Sequence, residues 1–404
     1  MKKFKFTPNK LLIGLFAVII LGISISTVAL PKLERSENEN RTLAKFPSLV
    51  NEKKLEKAEN FGDVLGAVDW GYITEREKAS FMDDFETYFA DHLVGRDLWV
   101  EGANFLSRLS GKREINGVYT VDNQMIQTFK KYDAEEVGKS LAAMEKFAER
   151  FPDIQMNFML VPTSQELFKN KIPSYAGLLS EKDFIDECYS KLEKVGTIDA
   201  LSYLSEHKNE YIYYRTDHHW TSLGAYYAYC AAAKSLGYAA YGLNSFNVET
   251  VSSDFRGTLY SKTLDSSVAP DTMDYYILAN GEPKVHMVSI NDKNKTEYDS
   301  LYVREYLDTK DKYSSFTGEN APIVEITTDV EKGKNLLVIK DSYAHSLVPF
   351  LSKHYSKITM VDMRYINTSL NNFINIGEYD QVLFMQNVIT FTEDSYMKKL
   401  ALTK

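Results

Sequence analysis

Four short, mostly apolar runs separated by helical patterns constrain this chain more than any other feature. They cover residues 154–161, 335–339, 358–363 and 381–385. The first stops at Pro162-Thr163. Between them lie helical faces. Val137, Leu141, Met144, Phe147 and Ala148 share one face, after Asp133 and Glu136 at capping-box spacing. Leu223, Tyr226, Tyr227, Cys230 and Ala231 share another, and residues 343–355 read as a third helix. Apolar strands alternating with helices predict an α/β domain whose mostly parallel sheet is covered on both faces. Ligands of such sheets gather outside the carboxyl ends of the strands. Thr163, Ser342, Arg364 and Asn387 fall at those ends.

The N-terminus sets the compartment. Residues 11–30, LLIGLFAVIILGISISTVAL, have the length and character of a membrane span. Lys2, Lys3, Lys5 and Lys10 precede the run, while charges of both signs follow it. The positive-inside rule then leaves residues 1–10 in the cytoplasm and sends the rest across. No small-x-small cleavage site follows the run, so an uncleaved single-pass anchor is expected rather than a removed signal peptide.

Residues 31–130 read as a polar linker, helical segments and a hairpin at 116–127. Phe81, Phe85, Tyr88, Phe89 and His92 share one helical face, which marks His92 as packed or capping. Residues 131–404 form the expected main domain. Within it, residues 241–328 are rich in Asp, Asn, Ser and Lys and read as a β-rich excursion. Two cysteines, Cys188 and Cys230, build no disulfide framework. A net charge of −9 argues against nucleic acid as a partner.

The chemistry resides in Thr216-Asp217-His218-His219-Trp220-Thr221 and Lys340-Asp341-Ser342-Tyr343-Ala344. Ser342 sits where a strand turns into a helix, and unpaired amides there point towards developing negative charge. A serine hydroxyl still needs a base. Asp217 and His219 lie two apart, so in an extended backbone both project to one side and His218 points away. The carboxylate then orients the imidazole that deprotonates Ser342. Taken singly, a serine at such a junction is an N-cap and a lone histidine is structural. The joint pattern is what favours acyl transfer. Asp-His-His also suggests a divalent metal, but no Asp-x-Asp cluster precedes it and histidines are few. Neither a metal nor a cofactor is expected.

These two segments resemble the DHHW family of exported bacterial proteins, which go with the SGNH-hydrolase-like domains of the alginate O-acetyltransferase proteins of AlgX and AlgJ type. Flanking matches are Glu39-Asn40-Arg41-Thr42-Leu43-Ala44, Tyr88-Phe89-Ala90-Asp91-His92 with Arg96, and Phe255-Arg256-Gly257-Thr258-Leu259-Tyr260. The resemblance implies a three-layer α/β/α SGNH-like fold, with Ser342 as nucleophile, His219 as base and Asp217 as its orienter. It also implies an arginine beyond the serine, the place that Arg364 fills. The Gly-Asp-Ser block of ordinary SGNH hydrolases is Lys340-Asp341-Ser342 here, and their Gly and Asn blocks have no counterpart. Oxyanion or substrate contacts are expected from the Ser342 amide, Arg364 and Asn387, with Thr163 beside them. The implied activity is acetyl transfer to a cell-surface polysaccharide, with a membrane-bound O-acyltransferase as donor partner. An acetylesterase with the same triad and a non-catalytic glycan-binding scaffold are the alternatives.

Overall fold

A computed structural model describes residues 8–50, 52–57, 60–68, 81–291, 294–394 and 396–403. The chain divides into two compact units, Met1–Ser110 and Gly111–Lys404.

In the smaller unit the apolar run forms one helix, Pro8–Ala29, long and apolar enough to cross a membrane, with a mean hydropathy of 2.6. Two short helices, Glu52–Leu55 and Phe61–Gly66, and two longer ones, Phe81–Asp91 and Arg96–Leu109, follow among the described residues. Asp91 joins two of the flanking sequence matches. Its Oδ2 accepts from Arg41 Nη1 at 2.9 Å and from the Ala44 amide at 2.8 Å. Glu39 pairs with Arg96 at 2.9 Å. Hydrogen bonds from Arg41 hold the Asp91 carboxyl down at about 2. His92 Nδ1 donates to the Tyr88 carbonyl of its own helix at 2.8 Å, the packing role its helical face predicts.

The larger unit is built on an eight-stranded sheet. Its strands are β1 (Gln155–Val161), β2 (Gly196–Thr197), β3 (Val285–Asn291), β4 (Asn294–Tyr298), β5 (Ile323–Thr328), β6 (Lys334–Lys340), β7 (Tyr355–Val361) and β8 (Gln381–Asn387). The spatial order is β4-β3-β5-β7-β6-β8-β1-β2. From β7 to β2 all neighbours are parallel; β5, β3 and β4 continue the sheet antiparallel. The four apolar runs seen in the sequence are therefore β1, β6, β7 and β8, the middle of the sheet.

Alternate residues of those strands go to opposite faces. Met159, Val161, Leu336, Val338, Ile358, Met360, Leu383 and Met385 join one core with helices Ser222–Leu236 and Ala344–Leu351. Phe158, Leu160, Leu337, Ile339, Val361, Val382 and Phe384 join the other with helices Ala134–Arg150, Glu181–Ser190 and Val388–Asp394. Strands buried on both faces must be apolar throughout, which is why they read as unbroken runs. The result is the expected three-layer α/β/α arrangement. Asp133 caps its helix by accepting from Glu135 and Glu136 amides, at 2.9 and 3.2 Å. The Glu136 side chain pairs with Lys139 at 2.8 Å instead of closing the box.

The β-rich segment is less separate than its composition suggests. Among the described strands of this segment, the first pair, Phe246–Phe255 with Asp271–Leu278, stands outside the central sheet. β3, β4 and β5 extend that sheet, leaving β4 at one edge, exposed along nearly all its length. At the other edge lies the two-residue β2. A three-stranded sheet, residues 114–127, includes the hairpin expected there. It is tied to the histidine segment by the Met125 amide, which donates to the Arg215 carbonyl at 2.8 Å.

One close approach fixes the helix that follows the histidines. A Cβ on Gly224 would lie 2.3 Å from the Ile212 carbonyl oxygen and 2.9 Å from Trp220 Cβ. Both obstacles are backbone or buried core, so neither yields cheaply. Gly224→Ala is expected to destabilise the larger unit by about 3 kcal/mol, read as a lower midpoint in chemical denaturation.

Candidate active site

Ser342 occupies the turn between β6 and the helix Ala344–Leu351, at the carboxyl end of a central strand. It is partly exposed while the residues on either side of it are buried. The turn is held by Asp341. One carboxylate oxygen accepts the Tyr343 amide at 2.9 Å; the other accepts the backbone amide and the Nδ2 of Asn387, both at 2.7 Å. The Ser342 amide itself meets no protein acceptor among the described residues, so it remains available to a ligand.

Asp217-His218-His219 sits at the tip of a tight bend. The Tyr214 amide donates to the His219 carbonyl at 3.2 Å, and the Thr221 amide to the Ile212 carbonyl at 2.9 Å. His219 Nε2 lies 2.6 Å from Ser342 Oγ, and its Nδ1 lies 2.5 Å from Asp217 Oδ1. Asp217 Oδ1 also accepts the His219 backbone amide at 2.9 Å. Its Oδ2 accepts the Thr258 amide at 2.7 Å and the Thr258 hydroxyl at 3.0 Å. The carboxylate thus has four donors, three of them outside the imidazole, which fixes its orientation. Burial opposes ionisation of Asp217. The adjoining His219 and the hydrogen bond from the Thr258 amide outweigh it and hold the carboxyl well below the usual range.

The backbone here is bent rather than extended, and this corrects the expected placement of His218. Asp217 folds back on the amide two residues ahead, as short acidic side chains do in turns. His218 consequently lies beside the pair: its ring centroid is 3.8 Å from that of His219, and its Nδ1 is 2.6 Å from Thr258 Oγ1. Burial, then the neighbouring His219, lowers His218 to about 3, so it stays neutral. Asp217, His218 and His219 offer ligand atoms within 4.8 Å of one another. Most of those atoms are already engaged with each other, Thr258 or Ser342, which leaves few free for an ion.

The histidine bend and the serine turn are joined by aromatic residues. Trp220 Nε1 donates to Ser346 Oγ at 2.8 Å and to the Tyr343 carbonyl at 3.2 Å. The Tyr343 hydroxyl returns the contact by donating to the His218 carbonyl. Tyr313 stacks on the His219 ring, 3.8 Å between centroids and 7° between planes. Its hydroxyl donates to the Ser342 carbonyl at 3.3 Å and lies 3.0 Å from Ser346 Oγ. Tyr313 has no signal in the sequence, because it lies in the polar β-rich segment.

The other expected contacts divide. Arg364 follows β7, with Nε 2.9 Å from Asp362 Oδ1 and Nη2 2.6 Å from Asp362 Oδ2. Its Nη1 has no hydrogen-bond acceptor among the described residues. Asn387, by contrast, has its amide committed: Nδ2 donates to Asp341 and to Thr390 Oγ1, each at 2.7 Å. It clamps the serine turn and has no proton left for an oxyanion. Thr163 is likewise engaged elsewhere, its amide and hydroxyl donating to the buried Glu181 at 2.6 and 2.5 Å.

Residues 154–361 match the DHHW protein family. Among solved structures, a DHHW family protein from Eubacterium siraeum is 28% identical, with a TM-score of 0.63, over 72% of this chain and 97% of that one. PatB1 of Bacillus cereus, solved with a sulfonyl adduct, is 17% identical, with a TM-score of 0.59, over 71% of this chain and 100% of its own. At that identity the likeness is one of fold. No curated protein matches the chain.

Gly257 is the position on which the Asp217 geometry most depends. A Cβ there would lie 2.1 Å from Asp217 Oδ2 and 2.3 Å from Asp217 Cβ. Gly257→Ala is expected to push the carboxylate off the imidazole and slow any reaction of Ser342 by about a hundredfold. The check is the rate of covalent labelling of Ser342, together with loss of the downfield His219 Nδ1 proton in the NMR spectrum.

Proposed function

The chain belongs to the DHHW family, and from the contact between Ser342 and His219 we propose that it is a serine-dependent O-acetyltransferase acting outside the cytoplasm. The single observation that carries this reading is the Asp217–His219–Ser342 relay, at 2.5 and 2.6 Å. His219 Nε2 takes the proton of Ser342 Oγ as the oxygen attacks an acetyl carbonyl. Negative charge develops on the former carbonyl oxygen, for which the free Ser342 amide and the uncommitted Nη1 of Arg364 are the donors we assign. His219 then gives its proton to the departing group, leaving acetyl on Ser342. In the second half a sugar hydroxyl gives its proton to His219 and attacks the acyl-serine. The acetyl passes to the sugar and the proton returns to Ser342.

Here the acceptor is a cell-surface polysaccharide and the donor is supplied by a membrane-bound O-acyltransferase. The helix Pro8–Ala29 anchors the protein, with residues 1–10 inside and the larger unit outside. One observation favours a second reading, acetylester hydrolysis: Ser342 is open enough for water to compete with a sugar for the same acyl-enzyme.

Ser342→Ala and His219→Ala are expected to lower acetyl release from a model ester by at least about a thousandfold. Wild-type protein should carry a phosphonate adduct that maps to Ser342 alone. Unchanged turnover in either variant removes the mechanism. Glycan binding with no adduct at all would instead leave a non-catalytic scaffold. Product analysis separates the two reactions: acetylated oligosaccharide marks transfer, and acetate alone marks hydrolysis.

A further inference from the structure

The Lys340 ammonium is wholly buried at the end of β6, two residues before Ser342. It lies 2.6 Å from His345 Nε2, 3.1 Å from Asn320 Oδ1 and 3.7 Å from Asp362 Oδ2. His345 Nδ1 lies 3.1 Å from the Phe316 carbonyl, which can only accept, and 2.6 Å from Thr317 Oγ1. The Lys340 ammonium can only donate, so His345 Nε2 accepts from it and the His345 proton belongs on Nδ1, with Asn320 Oδ1 a neighbouring acceptor 3.1 Å from Nε2. Burial, then the Lys340 charge, keeps His345 neutral. From the other side Arg364 Nη2 reaches the same two acceptors, Asp362 Oδ2 at 2.6 Å and Asn320 Oδ1 at 3.2 Å. Two cations share one carboxylate and one amide oxygen.

Stability alone does not call for this arrangement, since an apolar side chain at a buried strand end avoids the cost of desolvating an ammonium. Its position relative to the serine does suggest a use. β6 and β7 are parallel neighbours with Ile339 beside Val361. Lys340 and Asp362 therefore leave their strands side by side, and Ser342 and Arg364 come two residues further on each.

We infer that Lys340 is a positioning residue for the acyl transfer proposed above: through Asp362 and Asn320 it fixes the Arg364 guanidinium for the negative charge that develops on the acyl group at Ser342. This rests on the acyl-serine reading. The groups that face Lys340 are His345 from the following helix, Asn320 from the loop before β5, Asp362 and Arg364 from beyond β7, and Asp341 from its own turn. Asp394 adds its charge near Arg364, and Lys399 adds its own near Asp362. Burial, against the pull of Asp362, lowers Lys340 to about 8. The ammonium is thus lost on the alkaline side of neutrality, while Arg364 keeps its charge.

The test uses the full chain and a fluorophosphonate. Ser342 Oγ forms the bond to phosphorus, fluoride leaves, and His219 takes the hydroxyl proton. Wild-type labelling is expected to fall as pH rises past about 8. Lys340→Met should label about tenfold more slowly at neutral pH, without that alkaline fall. Arg364→Met should show a comparable loss, and the double variant should be no slower than Arg364→Met. Asn320→Ala, at an exposed position, removes the shared acceptor without burying anything new and should also slow labelling. A Lys340→Met protein that labels at the wild-type rate, or keeps the alkaline fall, overturns the inference. So do losses that multiply in the double variant, or an unaffected Asn320→Ala. If wild-type Ser342 takes no label, the acyl-serine reading fails and this inference goes with it.

Discussion

The site depends on a join between two loops that are far apart in the chain. Trp220, next to the histidine, donates to Ser346 and to the Tyr343 carbonyl, both beside the serine turn. Tyr343 answers on the His218 carbonyl, and Tyr313 lies flat on the His219 ring while holding the Ser342 carbonyl. Trp220, Tyr343 and Tyr313 are buried, so an unmade indole or phenol contact leaves a polar group without a partner in a dry place. The hydroxyl–imidazole distance is therefore set by packing. It does not rely on the attraction between the two groups themselves.

Charge is treated the same way. Asp217 collects donors from the His219 side chain and amide and from Thr258, and Asp341 from Tyr343 and Asn387. Asp271, also fully buried, accepts the Arg215 and Thr216 amides at 2.6 and 2.8 Å and so holds the segment leading into the histidine bend. Each of these three carboxylates accepts backbone amides of the segment it positions, with side-chain donors beside them. Such groups add little net stability but leave few alternative loop conformations. The Lys340 and Arg364 pair is the exception, with more positive charge than its single carboxylate balances.

Much of this was legible in the sequence, for physical reasons that differ by residue. β1, β6, β7 and β8 announced themselves because both of their faces are buried. β3 showed its period as an alternating run at residues 286–290, but a half-exposed strand does not show its partner, and its attachment to β4 and β5 is a tertiary fact. Asp217, His219 and Ser342 were singled out by residue type and by their junctions, and the structure brings them together. The route was misread, however: the two histidines follow a bend, and an argument from extended backbone sent His218 the wrong way. Asn387 and Thr163 were located at strand ends, but position alone does not reveal that neighbouring carboxylates have already taken their protons. Tyr313 had no pattern to betray it; its stacking exists only once the β-rich segment folds back.

The two rims of the sheet are dissimilar, and neither offers a long bare ladder. One stops after Gly196-Thr197, too short to template another chain. The other is Asn-Lys-Thr-Glu-Tyr, a solvated strand whose Lys295 and Glu297 discourage a second copy from adding on. Crowded copies of this protein are thereby kept from polymerising through the rims of the central sheet.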